Sequence, residues 1–123
     1  MNTKDPKSIA LQFNECINQQ DIVGLSNLMT DDHAFIDRDN KKITSKFEMI
    51  KSWANFFRMF PKYKNTFKKV KTMENLVVML GYAYWNEENS LDPAIWTARI
   101  ENDKVAEWRI YYDNKESRKK FLL

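Results

Sequence analysis

The run Leu76-Val77-Val78-Met79-Leu80-Gly81-Tyr82-Ala83-Tyr84-Trp85-Asn86 carries apolar side chains at odd and even positions alike. Alternate side chains of a strand point to opposite faces, so as a strand this run is apolar on both. Such a strand belongs in a sheet that is covered on both sides. Helices elsewhere in the chain can cover one side. The other side needs its own cover, and a partner subunit is the simplest candidate, so a homodimer through the sheet face is expected.

The helices come first in the chain. Asp5-Pro6 is a good start, with Asp as N-cap and Pro at the first helical position. Ile9, Phe13, Cys16 and Ile17 then recur on one apolar face to about Gln19. Asp21 caps a second, short helix carrying Ile22, Leu25, Leu28 and Met29, weakened by Gly24 and ended by Thr30-Asp31-Asp32. Ser45 followed by Glu48 matches a capping box. It opens a third helix with Phe47, Ile50, Trp53, Ala54, Phe57 and Phe60 on a broad apolar face, and Pro61 ends it.

Between the second and third helices lies Asp31-Asp32-His33-Ala34-Phe35-Ile36-Asp37. Read as a strand over 33–37, it turns His33, Phe35 and Asp37 to one face and Ala34 and Ile36 to the other. A polar turn over 38–42 and a short returning strand at Ile43-Thr44 follow. Strands over 63–73, 76–86, 94–102 and 104–113 complete the sheet, with 87–93 as a loop and Asn102-Asp103 as a hairpin turn. Lys115 to Leu123 forms a short helix or tail. Helices that precede and flank an antiparallel sheet define the α+β class.

A chain of 123 residues with two Gly and three Pro reads as one domain over 1–123 without a disordered linker. The lone Cys16 cannot form an internal disulfide, and the N-terminus does not read as a signal peptide nor any apolar run as a membrane span, so a cytoplasmic protein is expected. Lys62, Lys64, Lys68, Lys69 and Lys71 cluster, as do Lys115, Arg118, Lys119 and Lys120. With no recognised motif beside them, they read as a solvated edge strand and tail rather than a nucleic-acid surface. One His with a nearby Asp falls short of a metal site, and nothing calls for a cofactor.

The helix–helix–strand–helix–strands order, with Asn18-Gln19-Gln20-Asp21-Ile22-Val23-Gly24-Leu25, Asp31-Asp32 and the ending Val105-Ala106-Glu107-Trp108-Arg109-Ile110-Tyr111-Tyr112-Asp113, resembles the nuclear transport factor 2-like superfamily. The SnoaL-like and ketosteroid isomerase-like branches are the nearest in pattern. The resemblance implies a cone: a curved mixed sheet, cystatin-like, wrapped around a pocket that N-terminal helices close, often as a homodimer. At the ketosteroid isomerase positions, Asp37 stands where the general base is, while Phe13 and Trp96 replace the Tyr and protonated Asp of the oxyanion hole. At the limonene epoxide hydrolase positions, Phe35 and Asp37 replace the water-holding Tyr and Asn, and Ile110 replaces the last-strand Asp.

The resemblance thus implies a pocket for a small apolar or aromatic molecule, lined by Phe13, Phe35, Trp53, Phe57, Trp96, Trp108, Ile110 and Tyr112. Asp37 is the candidate acid or base, its proton affinity raised by burial, or else a cap for the following turn. His33 either shares a proton with Asp37 or stands at the pocket rim. Asp37-dependent isomerase, cyclase or hydrolase-type chemistry is one expectation. A non-catalytic ligand-binding module, or a protein-interaction module using the sheet face, is the other.

Overall fold

A computed structural model describes residues 5–86 and 91–123. Helix α1 (Pro6–Asn18) is capped by Asp5, whose side chain accepts from the Lys7 N–H, and α2 (Ile22–Asn27) by Asp21, which accepts from the Gly24 N–H at 2.9 Å. Gly24 has a packing role there: a Cβ would force the Asp21 carboxylate and the Cys16 sulfur to shift. Helix α3 (Lys46–Met59) starts at Ser45, whose hydroxyl accepts from the Glu48 N–H.

The strands are β1 (Met29–Ile36), β2 (Lys42–Thr44), β3 (Lys64–Met73), β4 (Leu76–Tyr84), β5 (Asp92–Glu101) and β6 (Lys104–Tyr112), followed by α4 (Lys115–Lys120). They form one six-stranded sheet in the order β2-β1-β6-β5-β4-β3, with β1 parallel to β6 and the remaining pairs antiparallel. This is the expected α+β cone. The first strand begins at Met29 rather than 33. Met29 pairs with Val105 and is fully buried, whereas Asp31 and Asp32 are exposed and make a polar interruption within the strand. The expected loop over 87–93 lies for residues 87–90 outside the described residues.

Two backbone details fix the sheet. Asn102 and Asp103 both have positive φ, 53° and 60°, the geometry of a tight hairpin turn that short polar side chains tolerate. Gly81 faces the irregular Phe67–Lys69 stretch of β3, where any Cβ would collide with the Thr66 carbonyl oxygen. The β3 edge thereby folds closely over β4.

The concave face carries the main core. Val77, Met79, Ala83, Trp96, Ala98 and Trp108 meet Ile9, Phe13 and Ile17 of α1 and Met49, Trp53 and Phe57 of α3. The convex face carries a second cluster of Val78, Ile95 and Phe121, with Leu76, Leu80 and Tyr111 against it. This changes the reading of the two-faced strand. Part of its second cover comes from the chain itself, since Phe121, just after α4, packs on the convex face. Lys71 ties it down by donating to the Phe121 and Leu122 carbonyls. Among the described residues, no helix is long and apolar enough to cross a membrane.

Candidate functional site

The cone encloses a cavity of about 390 Å³, within the size range of small-molecule sites. Each part of the fold contributes by its parity. From β1 comes Phe35, with Asp37 just after it. From α3 come Met49, Ser52, Trp53 and Phe56 on the inward face. Ala83 and Trp85 extend the concave parity of β4, Ala94 and Trp96 that of β5, and Trp108, Ile110 and Tyr112 that of β6. The inner end is apolar: Trp96 and Trp108 are each 1% exposed. Phe35, Trp53 and Phe56 pack edge to face around it, with ring centroids 6.0 and 5.7 Å apart. The indole nitrogens of Trp53, Trp96 and Trp108 are buried and have no acceptor among the described residues. Because those atoms are inaccessible, the three residues present ring carbon to the cavity.

The outer end is polar. Arg38 donates from both terminal nitrogens to the two Asp92 oxygens, at 3.0 and 2.9 Å, a bidentate pair. Trp85 Nε1 donates to the same carboxylate at 3.1 Å. Burial pushes the Asp92 carboxyl up, but these hydrogen bonds overcome it and leave it below the usual carboxylate range. The Arg38 guanidinium also lies over the Tyr112 ring, 5.0 Å from its centroid. Tyr112 in turn donates its hydroxyl to Asp39 at 2.8 Å, and that bond to a carboxylate raises the phenol above its ordinary value. Tyr63 lines the same end, and burial pushes its phenol up.

Asp37 is half-buried and lines the cavity. Its Oδ1 accepts from the Asp39 and Lys41 backbone N–H groups at 2.8 and 3.0 Å, so it also caps the turn. His33 is elsewhere. It is fully buried, does not line the cavity, and its Nδ1 lies 2.7 Å from the Val105 carbonyl oxygen. Neither the rim position nor a shared proton with Asp37 describes it. Phe13 is also fully buried, between His33 and Trp108 at centroid distances of 5.7 and 4.8 Å. Phe57 is stacked on Trp53 from behind, at 5.5 Å. Phe13 and Phe57 therefore support the wall without forming its surface.

Phe35, Trp53, Trp96, Trp108, Ile110, Tyr112 and Asp37 come together as one lining, and Arg38, Asp39, Trp85 and Asp92 join them. Trp85 was findable from strand parity, two residues beyond Ala83. Arg38 and Asp39 adjoin Asp37 in a stretch that reads only as a turn. The Arg38–Asp92 pairing spans most of the chain and leaves no local signal. Among the described residues, no three His, Cys, Asp or Glu side chains gather as a metal site would require.

The architecture is the nuclear transport factor 2-like, cystatin-like α+β fold. It superimposes on an uncharacterized cystatin fold protein from Novosphingobium aromaticivorans with TM-score 0.79 and 16% identity, over 88% of this chain and 98% of that one. A putative SnoaL-like polyketide cyclase from Shewanella putrefaciens gives TM-score 0.77 and 17% identity over 98% and 88%. A nuclear transport factor 2-like protein of unknown function from Cytophaga hutchinsonii gives 0.75 and 13% over the whole of both chains. The sequence matches no family model and no curated protein. At these identities the likeness carries the fold, and the ligand must be argued from the cavity.

Proposed function

We propose that this protein binds one small apolar or aromatic molecule inside the cone. The observation that carries this reading is the 390 Å³ cavity, floored by buried Trp96 and Trp108 and walled by Phe35, Trp53 and Phe56. Titrating a panel of hydrophobic compounds while following Trp emission tests it, because Trp53, Trp85, Trp96 and Trp108 all line the site. Ligands should shift the emission and raise the melting temperature, and Trp96→Ala should weaken the response. A panel that moves neither signal removes the reading.

Acid–base turnover at Asp37 is the second reading. It is favoured by the way Asp37 is held: one oxygen serves the turn while the residue still lines the cavity. Asp37→Asn keeps an acceptor oxygen for the turn and removes the proton carrier. On any compound the protein converts, it should lower turnover by about two orders of magnitude or more. Unchanged turnover would leave the protein as a binding module.

Homodimerisation belongs to the same proposal. Its natural surface is now the part of the convex face where Tyr82 and Tyr84 stand, since these share the outward parity of Val78 and Leu80. Light scattering at micromolar concentration should give twice the chain mass, and a monomer mass would remove the dimer.

A further inference from the structure

The electrostatics of the cavity select among small apolar molecules, and this inference rests on the ligand-binding reading above. Among the described residues that line it, the carboxylates are Asp37, Asp39 and Asp92, and the one cation is Arg38. That cation is committed. Each terminal nitrogen donates one N–H to Asp92, and its face rests on Tyr112. Asp92 is therefore neutralised within the protein, whereas among the described residues Asp37 and Asp39 are engaged by backbone N–H groups and by the Tyr112 hydroxyl. Lys41 and Lys42 on the adjoining turn are exposed and do not line the cavity. Arg109 reaches the same turn but bonds to Asn40, with its guanidinium over Tyr111 on the convex face.

Behind these carboxylates the surface is aromatic carbon, and the three inner indoles hide their N–H groups. The positive edges that would welcome an anion are thus withheld. A ligand bearing a carboxylate or phosphate would meet two carboxylates and a guanidinium whose charge is already paired with Asp92. A ligand bearing an ammonium would meet carboxylates at the mouth and electron-rich rings within, the two partners organic cations prefer.

We propose that the cavity is selective for an organic ammonium: a compact alkyl or aryl body lodged among Trp53, Trp96 and Trp108, with its charged nitrogen at the mouth beside Asp37 and Asp39. Benzylammonium, benzyl alcohol and benzoate form a matched test set, differing chiefly in the charge of one substituent. Trp emission titrations at low salt should rank them ammonium, alcohol, acid, with the ammonium about tenfold tighter than the alcohol. Raising the ionic strength should narrow that gap and leave the alcohol unmoved. Asp37→Asn and Asp39→Asn each retain an acceptor oxygen. Each should weaken the ammonium severalfold and the alcohol by much less, with circular dichroism reporting that the variant is folded.

Equal affinity for ammonium and alcohol would overturn the selectivity and leave the apolar pocket standing. Benzoate binding most tightly would overturn it in the opposite sense. No response to any of the three would remove both the selectivity and the binding reading beneath it.

Discussion

The two ends of the cavity are built by different physics. At the inner end, the Trp96 and Trp108 side chains are held by packing, without a hydrogen bond among the described residues, and Phe13 lies between Trp108 and His33. At the outer end, Arg38, Asp39, Asp92 and Tyr112 hold one another through directed polar bonds in partly exposed surroundings. Packing interactions are lost in proportion to the void left behind. Exposed polar bonds are largely replaced by water. Stability should therefore reside at the floor, and ligand discrimination at the mouth, although the two share a single lining.

The sharpest way to break this contrast is Phe13→Ala. Phe13 is fully buried and forms none of the cavity surface, so its removal leaves a void behind Trp108. The expected loss is about 3–5 kcal/mol in urea unfolding. A loss below about 1 kcal/mol would mean that the floor is not close-packed. Arg38→Ala comes next. The Arg38 and Asp92 side chains are 26% and 30% exposed, so water compensates part of the lost pair. A cost of about 1–2 kcal/mol is expected. Arg38→Lys should recover only part of it, because an ammonium cannot span both Asp92 oxygens. If Arg38→Ala cost as much as Phe13→Ala, the mouth would have to be counted as core.

The same division explains what the sequence disclosed. Periodic apolar positions revealed the three helices, strand parity set Phe35 on the face of Asp37, and the family resemblance implied that Trp96, Trp108 and Tyr112 point inward. Side-chain direction in regular elements follows from position alone. Strand parity put His33 on the face of Phe35 and Asp37, and it does lie on the concave side. Parity does not report depth, however, and α1 covers His33 with Phe13 before the cavity begins. The mouth was less legible. Asp37 was visible as either a pocket group or a turn cap, and it does both. Arg38 and Asp92 meet only because the turn after β1 and the start of β5 converge, a long-range fact with no local signature. The share of the second cover that the chain itself supplies was hidden for the same reason: nothing around Phe121 announces that it returns to Val78 and Ile95.

The smallest expected effect, and the most diagnostic of the floor, is the response of stability to mild acid. A carbonyl oxygen cannot donate, so the contact with Val105 requires the proton on His33 Nδ1, leaving Nε2 as a bare acceptor. That nitrogen is buried with no partner among the described residues. Protonating it would place a second N–H and a full charge in the core. Burial accordingly lowers the imidazole from its ordinary 6.5, even though the Val105 carbonyl and the Asp32 charge act in the other direction. Below pH 6.5 the unfolded chain then binds a proton that the folded chain resists. Stability is intact above that pH and falls as the pH drops from it toward the depressed folded value. The assignment is clean because His33 is the chain's one histidine. The carboxyls held low by ion pairs, Asp92 and Asp113, lose their stabilising effect only when the pH falls below their ordinary 3.8. Urea midpoints measured between pH 7 and 5 should decline in the native chain. In His33→Gln, which is less stable throughout, they should stay flat. A decline of equal slope in both proteins would remove His33 from the account and with it the claim that the floor excludes charge.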